Sequence, residues 1–298
     1  MTYSAAAASA GELETVKKEL LREERRLAVL RFLRCPQMIF GAAVIAALTV
    51  LILLAPVIAP DGPYVMDVSN RLAAPGAGHI MGTDTFGRDL LARVVYGARI
   101  SMEIGASVAL VSLAFGMIIG LYASYYHFLD AVLMRICDGI SAIPAILLAI
   151  AFMAVLGASP RNVILSLSMV YIPSVARIAR SRALEVRELT YIEAMRCLGA
   201  SSARIIWRHI APNILSPVIV QTSFIFAKAI VTEAALSFLG VGVPAPAPSW
   251  GNILMEGKTV IFKAWWMILF PGGITALSVL ALNMFGDGLR DFLDQNSK

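Results

Sequence analysis

The chain has 298 residues, of which 58% are hydrophobic and 15% are charged. Because soluble domains carry about 25% charged residues, this composition excludes a soluble globular protein and indicates a membrane protein with several spanning segments. The net charge is +5. The basic residues cluster beside the apolar runs, as orientation signals do, so the charge does not indicate nucleic-acid binding. Cys35, Cys137 and Cys197 lack the spacing of a disulfide framework or a metal site.

Residues 1–36 are polar, and their charged part at 12–34 predicts a helix on the cytoplasmic side of the membrane. The apolar run that follows is about 20 residues long, which exceeds the core of a cleaved signal peptide and predicts a first spanning helix. Five more apolar runs predict five more spans. The six predicted spans are residues 38–58, 101–126, 131–156, 163–178, 214–239 and 266–285. The predicted fold class is therefore all-α, with six transmembrane helices.

Lysine and arginine residues predict the orientation of these spans. Residues 1–36 carry seven of them, and residues 177–208 carry another seven. Basic residues are enriched in cytoplasmic loops, and the four predicted spans between these two segments allow both segments to lie on that side. Both termini are therefore predicted to be cytoplasmic. Residues 59–100, 157–162 and 240–265 are predicted to face outward.

The predicted outward segment at 59–100 has balanced charge and contains Gly-Thr-Asp-Thr-Phe-Gly-Arg-Asp-Leu at 82–90. This pattern predicts a glycine turn followed by a helix from Arg88 that lies on the membrane surface. Its predicted apolar side consists of Leu90, Leu91, Val94 and Val95. The aspartate and arginine residues of the segment are expected to form structural pairs, and a further role for them is left open.

The basic stretch at 180–213 predicts two short amphipathic helices that meet at Gly199. The predicted apolar residues are Leu184, Leu189 and Ile192 in the first helix, and Ile205, Ile206 and Ile210 in the second. Ser201 or Ser202 is predicted to cap the second helix, and Pro212 is predicted to begin the next spanning helix. The alternative interpretation is a solvated basic loop between two spans.

The spacing of Glu193-Ala194, Gly199 and Pro212 resembles the EAA loop of ATP-binding-cassette (ABC) importer permeases. Met195, His209 and Ala211 depart from that family's general pattern, but Arg-His-Ile-Ala-Pro-Asn at 208–213 resembles its dipeptide, oligopeptide and nickel branch. Segments at 82–99, 233–252 and 286–291 resemble the same branch. In that family the loop is a coupling helix that docks on a separate ATPase subunit. The resemblance therefore implies ATPase coupling by Glu193, Ala194, Gly199, Arg204, His209 and Pro212.

The resemblance also implies a type I ABC importer transmembrane fold in a bacterial inner membrane. It divides the chain into a cytoplasmic segment at 1–36, a first span with an outward loop at 37–100, a transmembrane domain at 101–290 with the coupling loop at 181–212, and a cytoplasmic tail at 291–298. The implied partners are a homologous second permease, two ABC ATPase subunits, an extracytoplasmic solute-binding protein and membrane lipid. No enzymatic activity, cofactor or metal is expected in this chain, since ATP and Mg belong to the ATPase subunits. Short peptides are the expected substrate, with nickel, glutathione or another small solute as alternatives.

Three ionisable residues, Asp138, Lys228 and Glu233, fall within or near predicted spans. Because charge in hydrocarbon is unfavourable, they are candidates for the translocation path, and internal ion pairs are the alternative. Lys228 and Glu233 are separated by about 140° around a helix, so they are expected to face different partners. Asp138 is the leading candidate for a partner of Lys228.

Other classes of function have weaker support. Gly-Lys-Thr at 257–259 is close to a phosphate-binding loop, but no buried strand is predicted before it, so nucleotide binding is rejected. His79, His127 and His209 fall on different predicted loops and do not predict a shared metal. An intramembrane enzyme would need a convergent pair of catalytic groups, and a secondary transporter would need inverted repeats. Neither pattern is clear in the sequence.

Overall fold

The computed structural model describes residues 35–294, and no strand occurs in that range. The helices are α1 Pro36–Leu53, α2 Leu90–Tyr125, α3 His127–Ser141, α4 Ala145–Leu156, α5 Pro160–Arg187, α6 Thr190–Cys197, α7 Ser202–Phe238, α8 Trp250–Lys258 and α9 Trp266–Asp294. The predicted all-α membrane fold is confirmed. In the described range, five helices are long and apolar enough to cross a membrane, namely α1, α2, α5, α7 and α9. The helix predicted at 12–34 lies outside the described residues.

The predicted span at 131–156 is bent sharply within its length. This part of the chain forms two helices, α3 and α4, that are bent by 93° at a short break. Pro144 is the N-cap of α4. A proline disfavours helical geometry in the residue before it and has no N–H to donate, so the apolar run is interrupted at Ile143. Counting the bent pair as one span brings the total in the described range to the predicted six.

The helix predicted from Arg88 forms, but it is not an element of its own on the membrane surface. Residues 90–100 form the first three turns of α2, which continues into the predicted second span without a break. The Asp89 side chain caps the helix by accepting a hydrogen bond of 2.8 Å from the N–H of Ala92. Leu90 and Val94 are buried against α8 and α9, beside Ile253 and Met267. The apolar face that the sequence indicated therefore contacts protein.

The main core lies between α2, α5 and α7. Gly116 and Gly120 of α2 allow the backbone of α5 to approach closely. A Cβ atom at Gly116 would lie 2.5 Å from the Cβ of Val175, and one at Gly120 would lie 2.5 Å from the carbonyl oxygen of Ala176. The α9 helix packs on α1 and α7, and α8 packs on α9 and α7. The connection between α5 and α7 is thus attached to the two helices that form most of this core.

Four charged residues, which we call the charge cluster, hold the 59–89 connection to α8. Asp84 is fully buried, and its Oδ2 accepts hydrogen bonds from Arg88 Nε at 2.6 Å and Arg93 Nη1 at 2.7 Å. Glu256 of α8 accepts hydrogen bonds from Nη2 of Arg88 at 2.9 Å and Nη2 of Arg93 at 3.0 Å. The structural pairing expected for this segment is confirmed at Asp84 and Arg88. Glu256 joins from 163 residues along the chain.

Candidate functional site

The turn at Gly199 ends α6 in a specific way. Gly199 has φ of +77°, which is the left-handed conformation that glycine adopts most easily. The N–H of Ala200 donates to the carbonyl of Met195, and the N–H of Gly199 donates to that of Arg196, both at 3.0 Å. This pair of hydrogen bonds is a Schellman motif. The prediction that Gly199 separates two helices is confirmed.

The second half of the predicted loop differs from the prediction. Residues 202–210 form the first turns of α7, so no second short helix stands apart from the span. Ile205–Ile210 has π-helical hydrogen bonding, and Pro212 follows it inside the continuous helix. Wider π turns occur where a side chain or a proline disturbs the regular ladder, and they recur at functional sites. Ser201 occupies the N-cap position, but its side chain makes no capping hydrogen bond.

Burial separates the predicted apolar residues into two groups. Ile205, Ile206 and Ile210 are buried, as predicted. In the first predicted helix only Ile192 is buried, because Leu189 is 47% exposed and Leu184 lies on α5. The α6 helix is therefore anchored through a single large apolar side chain and presents most of its surface outward.

Three side-chain contacts join α6 to the spanning helices. The amide nitrogen of Asn213 donates to the Tyr191 hydroxyl at 3.1 Å and to the carbonyl of His209 at 2.6 Å. The rings of Tyr191 and His209 meet edge to face, with centroids 6.5 Å apart. The guanidinium of Arg196 lies 5.2 Å from the centre of the Tyr125 ring at the end of α2. These contacts connect α6 to the start of α7 and to the end of α2.

The exposed side of this segment carries most of the predicted coupling residues. Glu193, Ala194, Gly199, Arg204 and Pro212 are exposed, and His209 is half-buried. Leu198 is 86% exposed and Trp207 is 46% exposed. We call the exposed residues Glu193, Ala194, Leu198, Gly199, Arg204 and Trp207 the coupling surface. Large apolar side chains beside a small residue and a glycine, rimmed by charge, form a surface suited to a protein partner.

Two family models match the chain. The model described as a binding-protein-dependent transport system inner membrane component matches residues 112–298. The model described as the N-terminal transmembrane domain of oligopeptide transport permease C matches residues 25–75. The chain belongs to the binding-protein-dependent transport system inner membrane components. This result confirms the family resemblance of the EAA-like segment and places the permease in a multi-span family of the inner membrane.

Curated relatives resemble the permease over most of its length. A Brucella suis protein described by name as a peptide transport system permease is 45% identical over 298 residues, which cover 100% of this chain and 99% of the relative. The dipeptide transport system permease protein of Alkalihalophilus pseudofirmus is 42% identical over 261 residues, 87% of this chain and 86% of the relative. The glutathione transport system permease protein of Pectobacterium atrosepticum is 40% identical over 265 residues, 86% of this chain and 87% of the relative.

A solved structure supports the fold. The inward-facing MetNI methionine ABC transporter contains a chain that matches 67% of the permease with a TM-score of 0.55 at 20% identity, and the match covers 96% of that chain. The predicted type I ABC importer fold is thus confirmed.

The predicted path residues of the permease do not come together. Asp138 is 61% exposed on α3, and its Oδ1 lies 4.0 Å from Arg177 Nη1 on α5. Lys228 is exposed on α7, and no ion pair joins it to Asp138 or to another acid within residues 35–294. The Lys228–Asp138 pair considered from the sequence is therefore not formed, because Arg177 is closer to the carboxylate.

Glu233 of the permease is fully buried and bonded within the protein. Its carboxylate accepts hydrogen bonds from the hydroxyls of Ser101 at 2.9 Å and Ser237 at 2.8 Å. The same hydroxyls accept from the N–H groups of Trp250 and Val243. Glu233 thus connects α2, α7 and the 239–249 connection. As predicted, it faces away from Lys228, and its place in the translocation path stays a prediction.

Two groups of contacts in the permease were not predicted from the sequence. Tyr191 and Asn213 connect α6 to α7, yet only the family-like Pro-Asn ending drew attention to Asn213. Glu256 neutralises two buried arginines of the charge cluster. The charge of the segment at 59–100 is balanced, so its composition did not indicate that its buried arginines also pair with an acid from elsewhere in the chain.

Proposed function

We propose that this permease is one of two homologous transmembrane subunits of an ATP-driven importer of short peptides. Two of the three relatives described above are named for peptide or dipeptide transport, and a third of the same kind is the di/tripeptide transport system permease of Pseudomonas aeruginosa, which is 38% identical over 253 residues. The relative named for glutathione transport supports glutathione as the second candidate. Glutathione is itself a small peptide, so both candidates require a path for a polar, charged solute.

The exposure of the coupling surface is the observation that carries this proposal. In the proposed importer, an ATPase subunit docks on this surface. When the two ATPase subunits close around ATP, they displace α6, and the contacts of Tyr191 and Arg196 transmit the displacement to α7 and α2. The spans then change from inward-open to outward-open and accept substrate from a solute-binding protein. ATP hydrolysis by the partner subunits resets the cycle.

The proposal fixes the orientation of the chain. The coupling surface and both termini lie in the cytoplasm, where ATP is available, and the charge cluster lies at the opposite end, toward the solute-binding protein. The seven basic residues at 177–208 support this orientation. The cytoplasmic ends of α5 and α7 are then the parts of the bundle that move with the ATPases.

Reconstitution of the complete importer tests the proposal. The permease is co-expressed with the proteins encoded beside it, purified through a tag on this chain, and placed in proteoliposomes with the solute-binding protein. We expect an ATPase subunit to co-purify and a labelled dipeptide to accumulate only with ATP. Absence of an ATPase from the purified complex would refute the coupling role. Uptake of glutathione without uptake of dipeptides would select the second candidate.

A further inference from the structure

The contact between α5 and α7 carries a line of polar side chains. The Tyr171 and Thr232 hydroxyls share a hydrogen bond of 2.8 Å, and the amide of Gln221 donates to the Ser174 hydroxyl at 2.8 Å. Lys228 lies between these two bonds along α7 and points out of the bundle. We call Tyr171, Ser174, Gln221, Lys228 and Thr232 the polar seam. Helical spacing places Gln221, Lys228 and Thr232 within about 60° of one another around α7.

The polar seam leads to a cavity at the end of α7 nearest the coupling surface. The cavity has a volume of about 410 Å³ and is lined by residues of α5, α7 and α9, with Gln221 and Phe224 on its α7 side and Arg290 on its α9 side. Arg182 and Glu185 form an ion pair of 3.0 Å at its α5 side. Phe224 and Lys228 are one helical turn apart on the same face of α7. The cavity therefore reaches within one helical turn of Lys228 on the same face of α7.

Lys228 is a cation that the described part of the chain leaves uncompensated. No ion pair or side-chain hydrogen bond of its ammonium occurs within residues 35–294. Asp138 lies 4.0 Å from Arg177, and the buried carboxylate of Glu233 accepts hydrogen bonds from two serine hydroxyls. Lys228 lies nearer the Phe238 end of α7 than the Ser202 end. An ammonium within a spanning helix is unfavourable against lipid, so we expect this face of α7 to border water or an anion. The polar seam beside it is consistent with a water-filled path.

We infer that Lys228 binds the C-terminal carboxylate of a peptide passing along the polar seam. This inference rests on the proposed function. An importer of many short peptides needs contacts with the groups that all of them share, which are the backbone amides and the two charged termini. The seam offers an ammonium for the carboxylate and the Gln221 amide for the backbone, and none of its five residues is an acid. The terminus recognised at Lys228 is therefore the carboxylate.

The test uses the complete importer in proteoliposomes with saturating solute-binding protein. Alanine dipeptide and its C-terminal amide are compared for wild type, Lys228→Met and Lys228→Arg. We expect Lys228→Met to lower ATP-dependent uptake of the free acid by about tenfold, because a charge-assisted hydrogen bond is lost. Lys228→Arg keeps the charge and should retain most of the uptake. Uptake of the amide should be unaffected by either change. Lys263→Met, an exposed lysine in the connection before α9, is the matched control.

Each other outcome has a definite meaning. Equal uptake of the free acid by wild type and Lys228→Met overturns the inference, as does an equal loss for acid and amide. A reduced yield of the assembled complex in Lys228→Met would assign the ammonium to an acid of the second permease and would also overturn it. If the solute-binding protein does not bind the amide, the two variants are compared on the free acid alone. In that case, a loss of uptake in Lys228→Arg as large as in Lys228→Met refutes the role of charge. If the wild-type importer takes up no peptide at all, the proposed function fails instead.

Discussion

Substitutions at Gly199 separate the shape of the coupling turn from its charge. Gly199 has φ of +77°, and no atom lies within 4 Å of the position that a Cβ would occupy. The effect of Gly199→Ala is therefore conformational rather than steric. Holding an L-residue in this left-handed region costs about 1–2 kcal/mol. A difference of this size corresponds to a factor of about 5–30 in the population of the native turn.

Four variants, the alanine variant and three others, test this expected cost. Gly199→Val has the largest backbone strain, since β-branched residues are rare at positive φ, and Gly199→Asn has the smallest because asparagine tolerates it. Gly199→Asp has nearly the shape of Gly199→Asn but adds a negative charge to the coupling surface. We expect peptide uptake to fall in the order Asn, Ala, Val, and Gly199→Asp to transport less than Gly199→Asn because the new charge opposes docking.

The assay measures ATP hydrolysis and dipeptide uptake in the same proteoliposomes, normalised to the amount of complex. Uncoupling means that uptake falls while ATP hydrolysis persists. If Ala, Asn and Val all transport like wild type, the left-handed turn is not needed for coupling. If Gly199→Asn and Gly199→Asp transport equally, a negative charge at this position does not oppose docking.

Three further predictions concern other parts of the chain. Glu193→Lys should uncouple ATP hydrolysis from uptake because it reverses a charge on the coupling surface. Glu188→Lys, which lies outside α6, is the control and should not. Equal uptake in the two variants would argue against docking at Glu193. Glu256→Ala removes one of the two anions that contact the buried guanidiniums of Arg88 and Arg93, so it should destabilise the fold by about 3–5 kcal/mol. A lower midpoint of thermal unfolding is expected, and an unchanged midpoint would contradict the prediction. In a background without native cysteines, a membrane-impermeant maleimide added to intact cells should label Asp61→Cys and spare Ser202→Cys, and strong labelling of Ser202→Cys would invert the proposed orientation.

The sequence predicted most of the spanning helices because their apolar runs are long and uninterrupted. It failed to show the bend within 131–156, where average hydropathy hides the break before Pro144. It failed again at 90–100, where an amphipathic pattern describes a helix on a membrane surface and a helix packed against protein equally well. Burial of Leu90 and Val94 against α8 depends on contacts between residues far apart in the chain, which a local pattern does not contain.

The candidate site was predicted in part. Glycine is the residue that a left-handed helix ending favours, so Gly199 could be placed from the sequence alone. The contacts of Tyr191 with Asn213, and of Glu233 with Ser101, join separate helices and could not be read from spacing. Lys228 was recognised as unusual because it interrupts an apolar run. Its outward direction and its place on the polar seam follow only from how α5 packs on α7.

Docking of the coupling surface on an ATPase subunit can be measured directly by cross-linking from Cys197. Cys197 is exposed on α6, Cys137 is buried, and Cys35 is half-buried. With Cys35 and Cys137 replaced by serine, a benzophenone maleimide attached to Cys197 is irradiated in native membranes, and the cross-linked products are identified by mass spectrometry. We expect the main product to join this chain to an ATPase subunit and its yield to change with ATP. Cross-links to lipid or to the second permease, with none to an ATPase, would contradict it.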